Sequence, residues 1–191
     1  LQNLNIIISV KKLCQHIPVA QIFQFFLQRQ TEPFFHSGLT DYCLRVSVAT
    51  HIGKVRGNHE DNFYLEGLYM NDIFRNDFSA TYTIRNADGM SFAVFDGMGG
   101  AAYGEVASEI AVQKLRKYEK KLKYADGTRM LDQLVSSFTT EANDAICDML
   151  AEKHCTTGGT TFSMLYFLRD SIKLYYLGYS RIYRYKSDGL T

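Results

Sequence analysis

Two helix patterns follow one another in the middle of this chain, and no strand pattern separates them. Residues 105–122 are rich in helix formers, and residues 131–150 carry an apolar stripe with the spacing of an amphipathic helix. A βαβ unit needs a strand after its helix, so this order argues against a parallel sheet. Strand patterns on both sides of the helix pair instead predict the α+β class.

Short alternating or apolar runs predict the strands. The run YCLRVSVAT at 42–50 alternates apolar and polar residues, as a half-buried strand does. A charged loop, HIGKVRGNHEDN, follows it, and further strands are predicted at 62–69, at 80–85, at 90–95 and in three short runs after residue 158. The strand at 90–95 is expected to end at Asp96. The last three strands are interpreted as an antiparallel meander.

Both prolines, Pro18 and Pro33, lie in the first 40 residues, and we place a boundary near residue 40. Residues 1–40 are interpreted as an N-terminal leader and residues 41–191 as a domain. Apolar residues recur with helical spacing after Pro18, which predicts an amphipathic helix there: Val19, Ile22, Phe23, Phe26 and Leu27. Packing on the domain or on a second copy is favoured over a membrane-surface or partner helix, because the polar face has few lysines or arginines.

Charge and cysteine content argue against several classes of function. The formal net charge is +1, so no basic field favours nucleic acid as a partner. The four cysteines are scattered without a C-x-x-C pair, which argues against a zinc ribbon and predicts reduced, buried thiols. No apolar run reaches the ~20 residues that span a bilayer, and the first residues lack the features of a secretory signal. We expect a cytoplasmic protein without a membrane span.

The stretch FAVFDGMGGAAYGE places Asp96 between an apolar run and a cluster of glycines. Gly97-x-Gly99-x-x-Ala102 matches a dinucleotide-binding loop, but a carboxylate beside a pyrophosphate would repel it, and the second strand of that fold is missing. A P-loop matches less well, because its lysine and hydroxyl are absent. A metal site is the other interpretation, since carboxylate and backbone oxygens suit Mg²⁺ or Mn²⁺. An Asp-Gly pair alone is more often only a turn.

A second loop carries Arg56, Glu60 and Asp61 within six residues. A guanidinium group is shaped to bind phosphate through two hydrogen bonds, and nearby carboxylates can orient water on a metal ion. Alone, such a run is more often a solvated charged loop. Its occurrence together with Asp96 favours a catalytic site.

Four motifs, in order along the chain, resemble those of the type 2C metal-dependent serine/threonine protein phosphatases in their bacterial form: GKVRGNHEDN, FAVFDGMGGAAYGEVAS, GGTTF and LGYSRIYRY. The resemblance spans residues 44–191. It implies an antiparallel β-sandwich flanked by helices, the αββα arrangement, and two Mn²⁺ or Mg²⁺ ions that activate a water to hydrolyse phosphoserine or phosphothreonine in proteins. Phosphorylated proteins would be the partners, a cognate Ser/Thr kinase or its substrates among them.

The resemblance also implies roles for single residues. Asp96 would bridge both metal ions, the Gly97 carbonyl would bind one of them, and Glu60 would bind metal directly or through water. Asp61 would support these ligands, and Arg56 would hold the phosphate. The predicted catalytic residues are therefore Arg56, Glu60, Asp61 and Asp96, and the predicted metal ligands are Asp96, Gly97 and Glu60.

Three departures from the family pattern bear on activity. Tyr179 stands where the family usually has an aspartate that serves an additional metal ion, and Met98 stands where animal members often have a histidine. The terminal Ser187-Asp188-Gly189 resembles a metal-binding motif, but its short distance from GYSR favours a hairpin turn. The domain is therefore predicted to be the incomplete, N-terminal portion of a phosphatase. An inactive phosphatase-like domain that serves as a binding or regulatory module is the alternative.

Overall fold

The structure is a computed structural model that describes residues 4–10, 21–28, 43–52, 59–71, 77–98, 103–169, 171–186 and 189–190. Within these ranges the chain forms twelve strands and two helices. In chain order they are β1 (Leu4–Val10), β2 (Gln21–Gln28), β3 (Cys43–Thr50), β4 (Asp61–Leu65), β5 (Leu68–Tyr69), β6 (Phe78–Ile84), β7 (Ser91–Met98), α1 (Gly104–Lys123), α2 (Gly127–Glu152), β8 (Gly159–Thr160), β9 (Phe162–Phe167), β10 (Ile172–Leu177), β11 (Arg181–Lys186) and β12 (Gly189–Leu190).

The strands form two antiparallel sheets. The first sheet has the order β12-β11-β1-β2-β3-β6, and the second has the order β10-β9-β7-β4-β5, with β8 paired to β7. Every strand pairing among the described residues is antiparallel. The predicted α+β class and antiparallel sandwich are confirmed.

Two apolar cores join three layers. One core lies between the sheets and contains Leu44 of β3 and Phe92 and Val94 of β7. The other lies between the second sheet and the helix pair and contains Phe95 of β7 and Leu115 of α1. Successive residues of β7 thus contact opposite layers, because side chains alternate along a strand. Burial on both faces makes β7 a central, rigid support for whatever lies at its end.

Both predicted helices are confirmed, and each is longer than the pattern indicated. Helix α1 carries Glu105 in its first turn and Lys120, Lys121 and Lys123 in its last, a distribution that complements the helix dipole. The two helices pack against each other and against the same face of the second sheet. The start of α1 is therefore held next to the end of β7.

The helix predicted in the leader is wrong, because residues 21–28 form strand β2. This strand pairs with β1 on one side and with β3 on the other, with Phe25 opposite Val46. The segment IFQFFLQ is rich in residues that favour strands, and it becomes a central strand because β1 and β3 pair with it on both sides. The boundary near residue 40 stays a prediction, although strands on both sides of it share one sheet.

The predicted meander is only partly correct. Strands β9 and β10 form an antiparallel pair, but β11 lies in the other sheet beside β1 and β12. The chain changes sheets at Gly178, whose φ of 92° lies in the region that favours glycine. Strand β7 also continues past Asp96, since Gly97 and Met98 pair with β8.

The structure shows the exposure of two cysteines, Cys147 and Cys155. Cys147 is exposed on α2 and Cys155 is half-buried, so the prediction of buried thiols is wrong for Cys147. Neither forms a disulfide.

Within the described ranges, no helix is both long enough and apolar enough to cross a membrane.

Candidate metal centre

Two buried carboxylates lie side by side at one end of the second sheet. Asp61 begins β4 and lies directly opposite Asp96 of β7. Only 5% and 7% of their surfaces are exposed. By the alternation of strand side chains, Asp61 shares a face with Phe63, and Asp96 shares one with Val94. Both acids therefore lie at the end of the sandwich, on the side that faces the first sheet.

The chemistry of this pair fits a divalent cation. Opposed residues of an antiparallel pair have Cα atoms about 4.5–5.5 Å apart, and like charges there destabilise the sheet. Burial makes two ionised carboxylates costlier still, unless a positive charge compensates them. Carboxylate oxygens are also the ligands that Mg²⁺ and Mn²⁺ prefer. Asp61 and Asp96 thus form the strongest candidate for a metal centre in the described part of the chain.

Gly97 of β7 lies against two other segments of the site, the residue before β4 and the start of α1. Its amide donates a hydrogen bond to the carbonyl of Glu60, with 3.1 Å between the nitrogen and the oxygen. A Cβ atom at this position would lie far inside van der Waals contact of the backbone of Glu60 and of Gly104. From the sequence, Gly97 was considered only as part of a dinucleotide-binding loop or of a metal site. The structure gives a reason for glycine at this position, which is the crowding of two backbone segments.

Glu60 is half-buried and immediately precedes Asp61. Its bond to Gly97 places three of the predicted residues, Glu60, Asp61 and Asp96, at the same end of the second sheet. Arg56 lies outside the described residues, as do Gly99 and Ala102. Within the described ranges, no group of three or more His, Cys, Asp or Glu side chains is arranged to hold a metal ion.

Two hydroxyl groups support Asp96 from the other side. The Asp96 amide donates to Thr161 Oγ1 at 3.1 Å, and the Thr161 amide donates to the Asp96 carbonyl at 2.8 Å. Thr161 Oγ1 also lies 2.6 Å from Ser180 Oγ. Thr161 and Ser180 are buried, with 2% and 8% of their surfaces exposed. The GGTT and GYSR motifs therefore meet at the residue that is predicted to bridge the metals.

Asp77 ties together the two ends of the charged loop. Its carboxylate accepts a hydrogen bond from the Ile52 amide at 2.9 Å. It also lies 3.2 Å from His51 Nε2 and 3.5 Å from His59 Nε2. His59 is 5% exposed, and its Nδ1 lies 3.2 Å from Thr50 Oγ1. The residues just before and just after positions 53–58 are thus anchored to the strand region that follows.

A small open pocket at this end of the sheet is lined by residues around Asp61 and by the start of α1. Its lining includes His59, Asn71, Glu105 and Glu109 besides Asp61. Three carboxylates around one opening create a negative potential, which attracts cations and repels phosphate.

Comparison with known proteins identifies the fold. The model of the protein phosphatase 2C family matches residues 68–191. The chain belongs to this family. The crystal structure of the serine/threonine phosphatase PstP/Ppp of Mycobacterium tuberculosis matches with 26% identity and a TM-score of 0.52. The match covers 78% of this chain and 52% of that one, so this chain spans about half its length. No curated protein matches the chain.

The protein phosphatase 2C match includes only part of the candidate site. Asp96, Gly97 and the GGTT and GYSR motifs lie within residues 68–191, whereas Arg56, Glu60 and Asp61 precede them. The pairing of β4 with β7 is what joins Asp61 to the matched region.

Sequence reasoning missed three residues that organise the site. Thr161 and Ser180 were seen only as letters of family motifs, and their types alone do not indicate a contact with Asp96. Asp77 lies just before the strand predicted at 80–85, and nothing in its sequence predicts two histidine contacts. Tyr179, which stands at the family's aspartate position by the resemblance, is 93% exposed.

Proposed function

We propose that the protein hydrolyses phosphoserine or phosphothreonine in other proteins with the help of two Mn²⁺ or Mg²⁺ ions. The observation that carries the proposal is the buried pair Asp61 and Asp96, opposed on adjacent strands. Membership of the protein phosphatase 2C family supports the reaction class. Location in the cytoplasm, phosphorylated proteins as partners, and a cognate kinase are parts of the same proposal.

The predicted site residues have different roles. Asp96, the Gly97 carbonyl and Glu60 would hold the ions, and Asp61 would support them from the neighbouring strand. When bound, the ions would supply a water activated for attack and neutralise charge on the phosphoryl group. The rigid strand pair would hold these oxygens in a fixed geometry, so little reorganisation is needed when substrate binds. No side chain has to act as a covalent nucleophile.

Arg56 is proposed to bind the phosphate. A guanidinium can donate two parallel hydrogen bonds to phosphate oxygens, and lysine cannot reproduce that geometry. Arg56→Lys should therefore lower kcat/KM by roughly 10-fold or more while leaving Mn²⁺ affinity unchanged. An equal loss of both would mean that Arg56 acts on the metal centre instead.

The proposal is tested by hydrolysis of p-nitrophenyl phosphate and of a phosphothreonine peptide by the intact protein. Activity should require Mn²⁺ or Mg²⁺ and should be abolished in Asp96→Asn. Asp144→Asn is the matched control, because Asp144 is an exposed acid on α2 far along the chain from the centre. Full activity in Asp96→Asn would contradict the proposal.

One observation favours a second function, that of a phosphoprotein-binding module without activity. Tyr179 stands at the family's aspartate position and is almost fully exposed, so it contributes no metal ligand. This alternative predicts that a phosphopeptide binds but releases no inorganic phosphate at any Mn²⁺ concentration. Phosphate release that rises and saturates with Mn²⁺ would exclude it.

A further inference from the structure

Thr161 contacts the backbone of Asp96 on both sides of its Cα atom. Its hydroxyl oxygen accepts a hydrogen bond from the Asp96 amide, and its own amide donates a hydrogen bond to the Asp96 carbonyl. Both φ and ψ of Asp96 are thereby restricted by one residue. Because the carboxylate is one Cβ away from this backbone, any rotation of the peptide units would move it.

The hydroxyl of Thr161 is itself held by Ser180. Their oxygens are 2.6 Å apart, so one hydroxyl donates to the other while Thr161 Oγ1 still accepts from Asp96. A hydroxyl oxygen has two lone pairs and one proton, which is enough for both bonds. Both groups are buried, so removing one partner leaves a polar group that water does not readily satisfy.

The change of sheet at Gly178 brings Ser180 to this position. A Cβ at Gly178 would lie 2.9 Å from Thr161 Cγ2 and 3.2 Å from Thr161 Cβ. Gly178 thus allows the crossing chain to pass directly over Thr161. Ser180 follows just before β11, which belongs to the first sheet. The hydroxyl pair therefore couples the position of Asp96 to both sheets.

We propose that Thr161 and Ser180 are positioning residues that set where Asp96 presents its carboxylate to a divalent cation. The inference rests on the proposed function only in taking Asp96 as a metal ligand. Neither hydroxyl has to touch the ion or the substrate. Groups that orient metal ligands through hydrogen bonds typically change metal affinity 10- to 100-fold when they are removed.

The test measures Mn²⁺ affinity by calorimetry and, separately, the unfolding of the metal-free protein in urea. Thr161→Val keeps the shape and removes the hydroxyl, and it should weaken Mn²⁺ binding about 10-fold or more. Ser180→Ala should weaken it several-fold, about 3-fold or more, because Thr161 then loses its support. Thr161→Ser restores the hydroxyl and should bring the affinity back to within about 3-fold of the wild type.

Ser163→Ala is the matched control. Ser163 lies on β9 with a fully buried hydroxyl that has no hydrogen-bond partner among the described residues, and it makes no contact with Asp96 through it. This variant should keep wild-type Mn²⁺ affinity. If every buried hydroxyl mattered equally, Ser163→Ala and Ser180→Ala would behave alike, and the proposal would be overturned.

The possible results distinguish a failure of this inference from a failure of the proposed function. A purely structural role predicts lower stability for Thr161→Val with unchanged Mn²⁺ affinity, and that result overturns the inference. If Thr161→Val does not fold, Ser180→Ala decides in the same way. Wild-type protein that binds Mn²⁺ through Asp96 but hydrolyses nothing overturns only the proposed activity, and the affinity series still tests the positioning.

Discussion

Two regions of the candidate site are anchored in different ways. The end of β7 at Asp96 is held by backbone hydrogen bonds and by the buried hydroxyl of Thr161. The Asp77 carboxylate, whose side chain is 49% exposed, holds one end of the Arg56 loop through His51 and the Ile52 amide and the other end through the buried His59. The metal side of the site is thus fixed by the protein interior, while the loop side depends on one carboxylate that is half exposed to solvent.

This difference predicts how the two regions respond to change. Interior contacts are not screened by salt and have little room to adjust, so a substitution there should be costly. Contacts of an exposed carboxylate are screened and replaceable by water, so a substitution there should cost less.

Gly97→Ala should have the largest effect on stability. Its Cβ would collide with the backbone of Glu60 and of Gly104, neither of which can move without shifting β4 or α1. We expect a loss of about 3 kcal/mol or more in the free energy of unfolding, measured in urea. The reference is Gly127→Ala, where φ is 79° but nothing lies within 4 Å of the added Cβ.

Gly127→Ala should cost only the backbone strain, roughly 1–2 kcal/mol. A loss at Gly97 no larger than the loss at Gly127 would mean that the neighbouring backbone yields to the added methyl group, and the contrast between the two regions would lose its main support.

Asp77→Ala should have an intermediate effect. It removes the acceptor of the Ile52 amide and the carboxylate next to His51 and His59. We expect a loss of about 1–2 kcal/mol in urea unfolding, because one partly exposed hydrogen bond and two contacts to histidine rings are lost. A loss as large as that of Gly97→Ala would mean that the loop side is as rigid as the metal side.

His51→Ala should cost less than Asp77→Ala. The His51 side chain is 62% exposed and contributes one contact to Asp77, so the expected loss is about 0–1 kcal/mol. The same urea series measures it. A loss equal to that of Asp77→Ala would show that His51, rather than the Ile52 amide, carries the anchoring.

Asp132→Asn, which lies outside both regions, should have the smallest effect on the free energy of unfolding. Hydrogen bonds from Lys173, at 2.6 Å, and from Tyr175 lower the pKa of Asp132 below its ordinary 3.8. The folded form then gains stability above the unfolded pKa, which is lost as the pH falls through the lower folded value. The wild type should therefore be slightly more stable than the variant at pH 7 and lose this advantage below about pH 4. An advantage that grows in acid would contradict the assignment.

The class of fold and the two helices were predictable because their patterns are long and periodic. The strand before Asp96 was predictable because a short apolar run ends there, as in a strand buried on both faces. Period-two alternation predicts which face of a strand is buried, but it does not predict which strand pairs with it. Nothing in the sequence therefore placed Asp61 opposite Asp96.

The leader shows where a local pattern fails. The spacing of Ile22, Phe23 and Phe26 fits one face of a helix, yet the same residues favour a strand, and the neighbouring strands decide between them. Thr161 and Ser180 were unpredictable for a different reason. They lie 19 residues apart, and their contact depends on a change of sheet at Gly178 that the sequence had suggested was a hairpin.

Urea unfolding with and without Mn²⁺ tests whether a divalent cation binds beside the opposed pair Asp61 and Asp96, with Asp96 as a ligand. Without Mn²⁺, Asp96→Asn should be as stable as the wild type or more stable, because two like charges no longer oppose each other. With Mn²⁺ at 100 times its Kd, the wild type should gain about 2.7 kcal/mol and Asp96→Asn should gain almost nothing. Equal stabilisation of both proteins by Mn²⁺, or of neither, would contradict the claim.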